Sequence, residues 1–219
     1  MGGRRVMSRV VGQSAKDKGE SKLRKIFYFD NDKDKPILAS GVLFIKESPD
    51  GKKDVLVQKV KKEDGKIIVT DFGGKVDLDD TTPIQAAARE LGEEINYGIF
   101  HKDKGSFLDE EGLKRLIQGN IMGKVYLPTA KYFLVFVKFN DKEIGIDMEK
   151  IGDHETLDQI ERTVDWISSD DFIKTYFDQK LHPRLWSKQV LNFFGYEGPE
   201  ISVVKSKPIV LKKFGFKSL

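Results

Sequence analysis

Gly73-Gly74-Lys75-Val76-Asp77, a short loop, and then Arg89-Glu90-Leu91-Gly92-Glu93-Glu94-Ile95-Asn96-Tyr97 form the stretch that decides how this chain is read. The second half reads as a helix from local chemistry alone. Thr82 suits the N-cap, Pro83 the first helical position, and Gln85 the capping-box position. Ala86, Ala87, Ala88 and Leu91 are strong helix formers. Ile84, Ala87, Ala88 and Leu91 supply an apolar stripe at helical spacing. Glu90, Glu93 and Glu94 stand at i, i+3 and i+4 and so share another face. Like charges at that spacing cost an isolated helix roughly 0.2–0.5 kcal/mol per pair, and a cation removes the penalty. Hard carboxylate oxygens suit Mg²⁺ or Mn²⁺. A solvated acidic face partly neutralised by Arg89 is the plainer alternative. The two glycines, read as a turn just ahead of the helix, shift the reading towards a cation held beside a diphosphate.

The segment resembles the Nudix box, in which a glycine precedes a loop and a helix ending Arg-Glu-aliphatic-x-Glu-Glu-x-Gly-aliphatic. Gly74, Arg89, Glu90, Leu91, Glu93 and Glu94 match it position by position. The loop from Gly74 to Arg89 is one residue longer than the family pattern, so the family's loop glutamate falls on Asp80 or Thr81, with Asp80 the better chemical match. Asn96 stands where a helix-ending glycine is usual, and asparagine is the next most tolerant residue of a left-handed backbone. Tyr97 takes the last aliphatic position and can still pack. The resemblance implies an α/β fold, the Nudix α/β/α sandwich with a mixed sheet between helices. It also implies metal-dependent hydrolysis of a diphosphate linkage in a nucleoside diphosphate joined to another group. Carried over residue by residue, Glu93 and Glu94 become metal ligands and Glu90 a ligand or the base beside the water. That makes Glu90 and Glu93 the catalytic candidates. The Gly74 carbonyl becomes a further metal contact, and Arg89, with Asp80, a structural element of the box. Lys75 is a phosphate-binding candidate that reads equally well as a solvated strand residue. The expected cofactor is Mg²⁺ or Mn²⁺, and the expected partner is a nucleotide-type diphosphate. A late-loop acid often completes such sites: Asp153-His154-Glu155 offers one candidate in Glu155, and Glu161 is another.

Composition narrows the classes. There is no cysteine among 219 residues, which excludes disulfides and thiolate sites and fits the cytoplasm or another reducing intracellular compartment. No apolar run reaches transmembrane length, and the N-terminus lacks the apolar core of a signal peptide, so no membrane partner is expected. Val6 argues against myristoylation at Gly2, and the final Lys217-Ser218-Leu219 is not the peroxisomal order. The net charge of +3 is unevenly spread: residues 1–26 carry +6, residues 200–219 carry +4, and the stretch between carries −7. Residues 1–25 are therefore expected to be a basic flexible segment, 26–200 the catalytic domain, and 201–219 a basic tail. Such ends can hold a polyanion, RNA included, although charged termini are often only solvated.

Strand signals flank the box. Ile26–Phe29, Ile37–Lys46, Asp54–Lys62, Ile67–Thr70, Lys131–Phe139 and Val164–Ile167 read as strands, the second and third as a hairpin. Glu110–Gln118 reads as a helix, as does a segment capped by Ser169 or Asp170 and running through Tyr176. Pro183–Phe194 reads as a late helix with Leu185, Gln189 and Val190 inward, and residues 98–127 as an insertion. His101, His154 and His182 show no metal spacing. Tyr126, Tyr132, Phe133 and Trp166 could stack a base, but aromatics in strands more often build the core. Small nucleotides, dinucleoside polyphosphates, nucleotide sugars, diphosphoinositol phosphates and capped RNA are all handled by the family. A messenger-RNA decapping enzyme and a non-catalytic nucleotide- or RNA-binding module are the alternatives, and the three intact glutamates argue against the module. Nothing in the sequence fixes an oligomeric state.

Overall fold

The computed structural model describes residues 8–11, 24–95, 97, 99–102, 106–147 and 162–198, with side chains from Lys25 onward. The elements in chain order are β1 (Ser8–Val11), β2 (Arg24–Tyr28), β3 (Pro36–Ile37), β4 (Ala39–Glu47), β5 (Lys53–Lys61), β6 (Ile67–Thr70), β7 (Phe72–Lys75), α1 (Pro83–Glu94), β8 (Phe100–His101), α2 (Glu110–Gly119), β9 (Ile121–Leu127), β10 (Tyr132–Lys138), β11 (Gly145–Ile146), β12 (Arg162–Ser168), α3 (Ser169–Phe177) and α4 (Lys188–Phe193). The main sheet runs β12-β5-β4-β10-β9, with β6 on β5 and β7 on β4. It is mixed, because β10 lies parallel to β4 while the other neighbours are antiparallel.

Alternation along the central strands sorts the core into two layers, since successive strand residues face opposite sides. Val42 and Phe44 of β4, Leu56 of β5 and Val135 and Val137 of β10 pack with Ala88 and Leu91 of α1 and Leu113 of α2. Leu43, Ile45, Val55, Val57, Leu134 and Phe136 pack instead with Phe172 of α3 and Val190 and Leu191 of α4. Strands buried on both faces read as continuous apolar runs, as Tyr132–Lys138 does. The result is an α/β/α sandwich, α1 and α2 on one face and α3 and α4 on the other.

One feature of the sheet positions the candidate site. β4 pairs with β5 only from Phe44 to Glu47 and then diverges from it, while its Ala39–Val42 half pairs with β7. β5 correspondingly pairs with β6 through Gln58–Lys61. The sheet therefore forks, and the β6–β7 chain fills the fork with Asp71 at its corner.

Several expectations shift. Gly73 and Gly74 sit inside β7, opposite Gly41 and Ser40, and not in a turn. Neither has a positive φ; the positive-φ glycines among the described residues are Gly51, Gly65 and Gly195. Residues 98–127, read as an insertion, hold α2, which matches the expected Glu110–Gln118 helix, and the edge strand β9, which the sequence reading passed over. β9 is antiparallel to β10, and α2 shares the core beneath α1. Ser168 caps α3, accepting from the Asp171 amide at 3.1 Å, one residue earlier than expected. Pro183–Phe194 is broken into a 3₁₀ turn at Pro183–Leu185 and α4, because Ser187 starts a new helix by accepting from the Gln189 amide. Gln189 is exposed and Leu191 is buried in its place.

Candidate active site

Helix α1 begins as its sequence dictates. The Thr82 hydroxyl accepts from the Gln85 amide at 3.0 Å and Pro83 fills the first turn. The Gln85 side chain reaches back to the Thr81 amide at 3.0 Å, one residue beyond the usual capping-box partner. Ser40 of β4 donates to the Pro83 carbonyl at 2.6 Å and ties this end of the helix to the sheet. Ala86, Ala87, Ala88 and Leu91 are fully buried, and these small side chains let α1 lie close against β4 and β7.

That closeness sets the carboxylates. A Cβ on Gly74 would fall 2.1 Å from Glu90 Oε2, so Glu90 lies directly against the Gly74 backbone. One turn on, Glu94 Oε2 accepts from the Gly73 amide at 2.8 Å and from Gln58 Nε2 at 2.7 Å. Arg162 of β12 lies 3.5 Å from Glu94 Oε1 and donates to Gln58 Oε1 at 2.6 Å. Glu90 and Glu94 thus face β7 into the fork. Glu93 turns towards Arg89, 3.0 Å away, with a third of its side chain exposed.

Arg89 collects the rest. It lies 3.2 Å from Asp80, 3.1 Å from Glu90, 3.0 Å from Glu93 and 4.0 Å from Asp77. Both Nε and Nη2 donate to Asp80, which is buried and also accepts from the Asp77 amide at 2.7 Å. Asp80, rather than Thr81, is therefore the residue set against Arg89. Nη2 also donates to the Lys75 carbonyl at 2.8 Å, while the Lys75 side chain is exposed. Four carboxylates surround a single guanidinium, so the cluster holds surplus negative charge. Burial pushes the Glu90 carboxyl up to about 7 against the opposing pull of Arg89. Burial likewise pushes Glu94 up to about 8, opposed by Arg184 and Arg162.

A model of the NUDIX domain matches residues 37–185. The chain belongs to the Nudix family and is a pyrophosphohydrolase of that general kind. Curated proteins give no match. Among solved structures, the Nudix hydrolase RenU of M. smegmatis is 18% identical over 68% of this chain and 78% of its own, with a TM-score of 0.34. An Ap4A hydrolase of C. elegans is 15% identical over 73% of this chain and 93% of its own, with a TM-score of 0.37. A Nudix hydrolase of Listeria monocytogenes is 10% identical over 72% and 89%, with a TM-score of 0.41.

Within this Nudix domain, three box carboxylates were expected on one helical face, and the packing divides them two and one. Among the described residues no three histidine, aspartate or glutamate side chains are already gathered as a metal cluster. The donor set nonetheless fits a hard divalent cation. Glu90 occupies the space that a Gly74 side chain would fill, and the surrounding charge is in deficit of cations. Asn96, Asp153, His154, Glu155 and Glu161 lie outside the described residues. Among the described residues at the end of α1, Tyr97 is left-handed, with φ 50°, and its amide donates to the Gly92 carbonyl at 2.8 Å. Its ring occupies the place of a Gly92 Cβ. His182 accepts from the Arg184 amide at 3.2 Å, and His101 stands edge-on to Phe107. Tyr132 and Phe133 are core, Trp166 packs on Phe139, and Tyr126 stacks on Phe29.

Sequence reasoning missed Gln58, Asp71, Arg162 and Arg184. Their only trace was polarity inside or beside apolar strands, at Gln58 in Lys53–Lys61 and Asp71 between two β-runs.

Proposed function

We propose that this Nudix domain hydrolyses the diphosphate linkage of a nucleoside diphosphate joined to another group, using Mg²⁺ or Mn²⁺ held by Glu90, Glu93, Glu94 and the Gly74 carbonyl. The observation that carries the reading is Glu90 lying against the Gly74 backbone inside a carboxylate-rich cluster. A diphosphate resists water because its oxygens are negative and repel a nucleophile. A bound divalent cation would neutralise that charge and acidify water. Water attacks one phosphorus, the bridging P–O bond breaks, and the released oxygen leaves with one of the two phosphate products. Glu90, a ligand of the cation or the base beside it, is in the second role the carboxylate placed to take the proton from the attacking water. Arg89 and Asp80 keep Glu90 and Glu93 in place through charge-assisted hydrogen bonds. Within this class, the basic residues 1–25 and 201–219 favour a long polyanion, and the capped 5′ end of RNA is the substrate that suits them.

The test is one panel with Mg²⁺ or Mn²⁺: dNTPs, ADP-ribose, dinucleoside polyphosphates, diphosphoinositol phosphates and capped RNA. Glu93→Gln and Glu94→Gln are expected to lose most turnover while remaining folded; unchanged rates in both remove the metal assignment. No turnover of any substrate favours a binding module. If deleting residues 1–25 and 203–219 leaves RNA affinity and its salt dependence unchanged, the capped-RNA assignment is wrong.

A further inference from the structure

Behind the carboxylates, on the α3/α4 side of the fork, a second set of charges is buried that the hydrolytic reading does not use. Asp71 is fully buried at the corner between β6 and β7. Its Oδ2 accepts from the Tyr132 hydroxyl at 2.6 Å and its Oδ1 from Arg184 Nε at 2.8 Å. Thr70 donates to the same Oδ1 at 3.1 Å. Arg184 also donates through Nη1 to the Gly73 carbonyl at 2.7 Å and through Nη2 to the Asp71 carbonyl at 3.2 Å. Its guanidinium carbon stands 5.0 Å over the Tyr132 ring.

Two of these contacts meet the front of the site on the same residue. Gly73 gives its carbonyl to Arg184 and its amide to Glu94. Asp71 gives its carbonyl to Arg184 and to Gln58, and Gln58 also donates to Glu94. The Tyr132 hydroxyl closes the packing, occupying the place of a Cβ at both Gly41 and Gly73. Glu94 therefore has its two neutral donors fixed from behind by one guanidinium with three simultaneous acceptors. A fork of donors in one plane can hold such a set, and a lysine ammonium on a flexible stem cannot reproduce it.

We propose that Arg184 and Asp71 are positioning residues: by clamping the Gly73 and Asp71 carbonyls from the far face of the sheet, they aim Glu94 for the divalent cation. This rests on the metal-dependent reading above. Arg184 touches neither the cation nor substrate in this role; it acts through Gly73 and Gln58.

The test measures Mn²⁺ binding to the full chain by calorimetry, without substrate, for wild type, Arg184→Lys, Glu94→Gln and the double variant. Circular dichroism and melting report folding in parallel. Arg184→Lys is expected to weaken Mn²⁺ at least tenfold while remaining folded, and to weaken it no further once Glu94 is already glutamine. Wild-type affinity in a folded Arg184→Lys, or additive losses in the double variant, overturns the proposal. If Arg184→Lys does not fold, Tyr132→Phe is read the same way. It removes the hydroxyl's bond to Asp71 and its packing on Gly41 and Gly73, keeps the ring beneath Arg184, and is expected to weaken Mn²⁺ a few-fold in wild type and not in the Glu94→Gln background; no change in the wild-type background overturns the proposal. A wild-type chain that binds no Mn²⁺ overturns the metal reading and the positioning role together, whereas normal wild-type binding with an indifferent Arg184→Lys removes the positioning role alone.

Discussion

Gly74 and Gly73 are adjacent and do different things. Gly74 leaves room for the Glu90 carboxylate, and Gly73 leaves room for the Tyr132 hydroxyl. A Gly74→Ala methyl would stand where Glu90 Oε2 lies, 2.1 Å away, and must displace it. Turnover is therefore expected to fall about a hundredfold, on the order of what misplacing a reacting group costs, while the β4–β7 pairing keeps the fold. Steady-state rates beside circular dichroism check this. The glycines themselves were plain in the sequence, but their reason was not. A glycine needed for close approach looks the same in one dimension as a glycine needed for a positive φ. Asp80 is the converse case: the carboxylate that Arg89 requires was readable by chemistry although the loop length was irregular. Gln58, Asp71 and Arg184 were not readable, because the contacts that join them to one another and to Glu94, Gly73 and Tyr132 reach across elements far apart in the chain.

At the scale of elements, α1 was the most legible, since its cap, its first-turn proline and its alanine run are all local signals. Its N-cap bond is expected to be worth about 1 kcal/mol, so Thr82→Ala lowers stability by that order in denaturant unfolding. Turnover is expected to change little, because Glu90 and Glu94 are anchored by β7 and not by the first turn. The late helix was less legible. Apolar spacing continues across Trp186 and Ser187, yet Ser187 caps a fresh helix there, and a competing cap is invisible to periodicity. β9 was passed over for a related reason. It is an edge strand with mostly half-buried residues, and its Gly123 interrupts the apolar signal.

Across the whole molecule, burial of charge makes stability depend on pH in a calculable direction. Glu90 and Glu94 titrate at about 7 and about 8 when folded, against 4.5 when unfolded. The folded state then binds more protons than the unfolded state through that window, so stability falls as pH rises through 7 and 8. His182 has the opposite sign. Burial lowers it to about 4 from 6.5, so its contribution is present above 6.5 and is lost as pH falls through about 4. Between pH 6.5 and 8.5 the two glutamates outweigh His182. In a chelator the melting temperature is expected to drop across that interval, and Mg²⁺ is expected to raise it more at pH 8.5 than at pH 6.5. An equal Mg²⁺ effect at both values would show that these carboxylates do not receive the ion.

The fork in the sheet has one more consequence. Where β4 and β5 part, the Gly73 amide, although it belongs to a β-strand, donates to a carboxylate instead of to a neighbouring strand. The backbone is thus wired to a titrating side chain at a single proton. That proton is a built-in gauge: its resonance is expected to move with the charge on Glu94, so that a pH titration followed at the Gly73 amide would read the electrical state of the site from the main chain with no substrate present.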